Sequence, residues 1–248
     1  MSINKPYHRN VRQFIDGEFS EGGRWKYILH EEYAKSPEHY IRAFLIIQKD
    51  LHDLFDYVEP AEKNQKTYSF RTHELLFRTC VEIEANCVAI LTENGYQKSS
   101  NLNMSDYKKI NETHRLSSYE VKLPVWNGQN NIRKPFSKWE TGGSLDWYNA
   151  YNITKHNRHT EFEQATFDNL IEAICGLVAI LASQFLTHDF SPSDCHLSVG
   201  GIDDGMESAI GGYFRIKFAA DWKNSEKYDF NWQQIKNDPN PFQNYSYT

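Results

Sequence analysis

Residues 36–58, SPEHYIRAFLIIQKDLHDLFDYV, alternate apolar and polar positions with a helical period. Tyr40, Ile41, Phe44, Leu45, Ile47, Leu51, Leu54, Phe55 and Val58 recur at threes and fours, which places them on one face of a helix. Ser36 is placed to cap this helix, Pro37 occupies its first position, and Pro60 with AEKNQK ends it. A second helix is predicted over SFRTHELLFRTCVEIEANCVAILTENG. Its stripe is Leu76, Cys80, Ile83, Cys87 and Ile90, and Gly95 is the left-handed stop. Glu82 and Glu84 flank that stripe from opposite sides. SDYKKINETHRLSSYEV predicts a more polar helix capped by Ser105, and Ser144 is placed to cap LDWYNAYNITKHNR. Thr160 and Glu163 have the spacing of a capping box for a helix over 161–186. That helix is apolar around more than half its circumference and is therefore the central one.

The remaining segments lack a long period. Residues 1–35 predict an N-terminal arm, poorly ordered or folded as a small hairpin. Across the NGQNN turn, Val121–Trp126 and Ile132–Trp139 are candidates for a hairpin, which forms an insertion near 120–143. Residues 187–248 predict an irregular aromatic tail packed on the helices, with GGYFRIKFAA as its strand candidate. The expectation is one domain, 1–248, of mainly α class: a helical bundle over 36–186 with a small β-hairpin insertion and that tail.

Composition narrows the setting. Of 248 residues, 15% are aromatic, which supplies bulk for a core although only 40% are hydrophobic. The net charge of −6 argues against a surface coated in base for nucleic acid, but leaves room for a local basic patch. Cys80, Cys87, Cys175 and Cys195 form no C-x-x-C and read as free thiols of a reducing compartment. MSINKPYHRNVRQF has no apolar signal region, and the longest apolar run, ICGLVAILA, is far short of a bilayer span. A cytoplasmic protein with no membrane partner is expected.

The candidate chemistry lies in YNAYNITKHNRHTEF, residues 148–162. On a helix, Asn149, Asn152 and His156 share a face, with Tyr151, Lys155 and Arg158 on a neighbouring one. An imidazole handles protons near neutral pH, an amide orients it or a substrate oxygen, and the two cations neutralise a phosphate. The plainer alternative is that these groups satisfy backbone atoms at a helix-to-helix turn and meet the negative end of a helix dipole. Glu82 and Glu84 are expected to reach the Lys155/Arg158 cluster across the bundle. The histidines of HNRH lack a carboxylate at zinc-protease spacing, so neither metal nor cofactor is expected. Trp222, Tyr228, Phe230 and Trp232 read as tail packing in preference to a base-stacking platform.

Taken together, RTCVEIEANCVAIL on an early helix and YNAYNITKHNR ahead of EFEQATFDNLIEAICGLVAIL resemble HEPN-type proteins. The chain resembles in particular bacterial members with an N-x-x-K-H-x-R segment, here 152–158, entering the last long helix, and the resemblance covers roughly 36–186. It implies a HEPN-like helical bundle, a homodimer joined through the histidine-bearing helices, and a bacterial defence or toxin–antitoxin setting. Ribonuclease members carry an R-N-x-x-x-H motif. Asn152 and His156 match its second part, while Tyr151 stands in the arginine's place. Without that charge, the resemblance implies a non-catalytic protein that binds a protein partner, RNA or a nucleotide-like anion. The alternative is a metal-independent ribonuclease using His156 and Asn152 with a displaced basic residue.

Overall fold

The computed structural model describes residues 3–15, 21–190 and 204–247, with backbone alone for 21–24. Its helices are α1 (Pro37–Phe55), α2 (Phe70–Glu93), α3 (Met104–Tyr107), α4 (Ile110–His114), α5 (Asp146–His156), α6 (Arg158–Glu161), α7 (Phe167–Phe185) and α8 (Trp232–Ile235). Its strands are β1 (Glu120–Lys122), β2 (Ile132–Arg133), β3 (Glu207–Ser208) and β4 (Arg215–Lys217). The fold is mainly α with one small antiparallel sheet.

α7 is the centre. Leu170, Ile174, Leu177 and Leu181 are fully buried, and each such side chain contributes about 1.5–3 kcal/mol through burial. α2 and α5 pack against it, and α1 closes the other side of α2. By length and composition α7 is apolar enough to cross a bilayer, but 83% of its apolar window is buried inside the protein. Cys80 and Cys87 of α2 and Cys175 of α7 are buried free thiols, while Cys195 lies outside the described residues.

Local signals held where they faced no competition. Ser69 caps α2, its Oγ accepting from the Thr72 amide at 3.1 Å. Gly95 ends that helix at φ 83°, in the left-handed region that glycine enters without strain. Elsewhere the caps differ from expectation. Ser36 has left-handed backbone and caps nothing with its side chain, and Ser144 is displaced by Leu145 as the residue before α5. The polar helix over 105–121 breaks into α3, α4 and a 3-10 turn. Its cap is Asn103, in a reciprocal box with Asp106, because Lys98 and Tyr96 hold the Asp106 carboxylate there.

The long helix begins at Phe167, six residues later than the Thr160/Glu163 box predicts. Its cap is Thr166, whose Oγ1 accepts from the Asn169 amide at 3.2 Å. The carbonyls of Thr67 and Gln65 take the Phe167 and Asp168 amides at 2.7 and 3.0 Å, so the first turn is satisfied from outside the helix. Thr166→Ala should therefore lower stability by only about 1 kcal/mol in urea unfolding, the usual cost of one cap.

The hairpin forms but is shorter than predicted. Val121 faces Arg133 and Lys122 faces Ile132, and Pro124 and Pro135, which have no N–H to donate, stand just beyond the paired residues. The other edge of β1 pairs with β4 from the tail, giving the order β2-β1-β4-β3. GGYFRIKFAA thus does contain a strand, and the tail completes the insertion's sheet. Trp222, Tyr228 and Trp232 are buried, as tail packing requires.

Residues 3–15 are the largest departure. They form no hairpin of their own; they run through the interior. Arg9, Asn10, Val11 and Arg12 are all buried, the Val11 amide donates to the Ser183 carbonyl at 3.0 Å, and Ile3 and Phe14 each bridge Tyr228. Arg9 reaches the Gln184 side chain, the Lys35 carbonyl and the Glu93 carboxylate, so the segment is tied to both α2 and α7.

Candidate functional site

α5 ends at His156, and α6 follows after Asn157, whose amide closes the last turn on Ile153 O at 2.8 Å. This places Lys155 and His156 at the negative end of the α5 dipole, where cations are favoured. Lys155, His156, Arg158 and His159 are all exposed. His156, Arg158 and His159 make no hydrogen bond or ion pair with any described residue, and Glu161 and Glu163 follow on the next turns.

The predicted site residues are only partly brought together. Asn152 is half-buried and His156 is exposed, with no hydrogen bond between them; Asn149 is exposed and donates to Ser144 Oγ at 3.2 Å. Tyr151 is buried, edge-on to Phe77 at 4.9 Å, and its hydroxyl accepts from Lys155 Nζ at 3.3 Å. The expected bridge from Glu82 and Glu84 to Lys155 and Arg158 does not form. Glu84 instead accepts from the Tyr148 hydroxyl at 2.6 Å, which occupies the carboxylate before it can reach the lysine. Burial pushes the Tyr148 phenol well above its ordinary range, and the bond to Glu84 adds to the push. Glu82 is half-buried on the far side of the stripe, and desolvation raises its carboxyl.

What surrounds the cations is aromatic. Phe162 lies 4.8 Å from Phe70, 5.8 Å from Tyr68 and 5.4 Å from His73, measured between ring centroids. His73 continues to Phe77 at 4.4 Å and so to Tyr151 and Lys155. Phe70 is 72% exposed and Tyr68 50%, although both belong to a large apolar type. The His73 imidazole is held below its ordinary range, first by burial and then by the Arg158 charge, with the Thr154 backbone opposing both. A basic helix end and a row of rings, two of them open to water, therefore form one continuous surface.

Sequence reasoning missed the rings because Tyr68 and Phe70 are some 90 residues from Phe162, and Phe70 falls at the start of a predicted helix. The usable signal was Phe70 itself, off the apolar stripe of α2. Comparison of the chain with protein-family models, curated proteins and solved structures finds no match to any of them.

Proposed function

We propose that the protein binds single-stranded nucleic acid at the α5–α6 turn, as a non-catalytic member of a HEPN-like group acting in the cytoplasm. The observation that carries this reading is the exposed Phe70 ring against Phe162, beside an Arg158 that has no carboxylate partner among the described residues. Bases stack on such rings whatever their sequence, and the cations neutralise the backbone that links them. Duplex bases are already stacked on one another, which favours a single strand. The three buried thiols fit a reducing compartment. The homodimer implied by the HEPN resemblance is part of the proposal, with the exposed Ile153 on α5 in its support.

The test is titration of a fluorescent oligouridylate at several salt concentrations. Phe70→Ala should cost about 1–3 kcal/mol of affinity at every salt concentration. Arg158→Ala should weaken binding and flatten the dependence on salt by somewhat less than one unit of logarithmic slope. Equal binding of a duplex of the same length, or variants that match the wild type, would remove the proposal. Chelator-resistant cleavage of the oligonucleotide, lost in His156→Ala, would replace binding by catalysis.

A further inference from the structure

We propose that the folded chain modifies itself at Asn127: the Gly128 nitrogen displaces ammonia from the Asn127 side chain, and water then leaves aspartate or isoaspartate in its place. The bond formed is Gly128 N to Asn127 Cγ, which closes a five-membered imide. The bond broken is Cγ–Nδ2, and Nδ2 departs as ammonia with the proton that Gly128 N gives up. Water opens the imide at either carbonyl. Opening at Cγ gives aspartate. Opening at the backbone carbon gives isoaspartate, in which the main chain runs through the former side chain and is one carbon longer.

Asparagine followed by glycine is the pair in which this closure is least hindered, because no Cβ crowds the attacking nitrogen. The chain holds two such pairs, Asn94–Gly95 and Asn127–Gly128, and the fold treats them oppositely. Asn94 is 3% exposed. Its Nδ2 donates to His8 O at 2.9 Å and to Ile90 O at 2.8 Å, and its Oδ1 accepts from the Tyr245 amide at 3.2 Å. The Gly95 N–H is committed to Thr92 O at 3.0 Å, so neither reacting group there is free. Asn127 and Gly128 are both exposed. Neither the Asn127 side chain nor the Gly128 N–H has a hydrogen-bond partner among the described residues.

The fold also fixes which residue of the pair can be exchanged. Gly128 has φ 148°, and a Cβ there would lie 2.6 Å from Glu62 Cδ, so this position is held as glycine. Residue 127 is used only through its backbone: its amide donates to Pro60 O at 2.7 Å, and its carbonyl accepts from the Glu62 amide at 3.3 Å. The reaction strikes that tie. Glu62 Oε1 accepts from the Gln129 and Asn130 amides, both at 2.8 Å. A new carboxylate at 127 stands beside it with the same charge, and isoaspartate also displaces the carbonyl that the Glu62 amide holds. The product is a chain whose insertion is tied less firmly to the α1–α2 connection.

The experiment incubates the full chain in mildly alkaline buffer, native and in urea, and follows the masses of the proteolytic peptides carrying residues 94 and 127. In the native sample the 127 peptide should gain about 1 Da and split into two chromatographic species of equal mass, at least about tenfold faster than the 94 peptide changes. In urea, which frees Asn94, the two rates should converge. Mildly acidic buffer should slow the gain, since the attacking nitrogen must lose its proton. Asn127→Gln keeps the backbone contacts but closes only a slower six-membered ring, and should lose the gain. The melting temperature should fall in step with conversion, and hold in Asn127→Gln. A native 127 peptide that changes no faster than the 94 peptide, or aspartate as the only product, would overturn the self-modification. A melting temperature unmoved by complete conversion would overturn the loosening.

Discussion

Replacing Glu93 by alanine is expected to cost about 3–5 kcal/mol of unfolding free energy. Among the described residues the carboxylate is the only acid on Arg9, whose side chain is wholly buried with Nε 2.9 Å from Glu93 Oε1. The other bonds of the guanidinium, to Gln184 Oε1 at 3.0 Å and Lys35 O at 2.7 Å, are to neutral acceptors. Gln184 is in turn fixed by its bond to Asn86 Oδ1 at 2.9 Å. Tyr40 and Phe185 wall the charge off from water. Truncating Glu93 leaves a desolvated cation with no countercharge, which costs more than the pair itself contributes. The double variant Arg9→Met/Glu93→Leu should consequently lose less than Glu93→Ala alone. Urea unfolding of the two variants decides it, and a loss below about 1 kcal/mol for Glu93→Ala would show that the charge finds water instead.

The second large effect is an acid sensitivity that begins near neutral pH. His114 is fully buried. Burial lowers its imidazole from the ordinary range to about 3, Arg12 adds to the lowering, and the hydrogen bond to the Arg9 carbonyl offsets only part of it. Nε2 faces that carbonyl at 2.7 Å, so this nitrogen carries the proton of the neutral ring. A folded pKa below the unfolded one means that the unfolded chain binds the proton first. Stability is therefore fully present above about pH 6.5 and is lost as pH falls toward 3, by about 2 kcal/mol at pH 5 and on the order of 4 kcal/mol at the end of the range. His73 and His188, also lowered first by burial, add a smaller slope of the same sign. The carboxylates held low by partners, Asp106, Glu120, Asp204 and Glu226, act below about pH 5. Melting temperature against pH between 5.5 and 7 therefore reads mainly the histidines, with the raised Glu82 and Glu172 opposing them toward its acid end. In His114→Gln, which keeps a donor for the Arg9 carbonyl, the curve should be much flatter. An unchanged slope would contradict the assignment.

The first two helices were legible because their apolar spacing is long and uninterrupted: α1 and α2 lie where their stripes put them. Choosing between Thr160 and Thr166 as the start of α7 was beyond any local rule, since two carbonyls a hundred residues upstream and the engagement of Phe162 with Phe70 decide it. HRNVRQ reads as surface by composition, yet Arg9, Asn10 and Arg12 are buried because carbonyls, an amide, a carboxylate and aromatic faces receive their donors. No period reports that kind of burial. The cations at the end of α5 were legible as a cluster, whereas the rings beside them required the third dimension.

The threading of residues 3–15 between α7 and the tail also sets an order of events during synthesis. Tyr228 receives Ile3 and Phe14, and Gln243 receives Tyr7, so these three residues wait for residues 228–243, whereas Arg9 and Val11 have partners once residue 184 is made. The helices are free to collapse while translation continues, but Arg12 must stay hydrated until Trp222 and Glu226, which receive it, have been made. Contacts this distant in sequence are slow to close. Docking of Ile3, Tyr7 and Phe14 onto residues 228–243 is therefore a late step of folding, and a nascent chain halted before residue 228 would carry these residues unseated and open to protease.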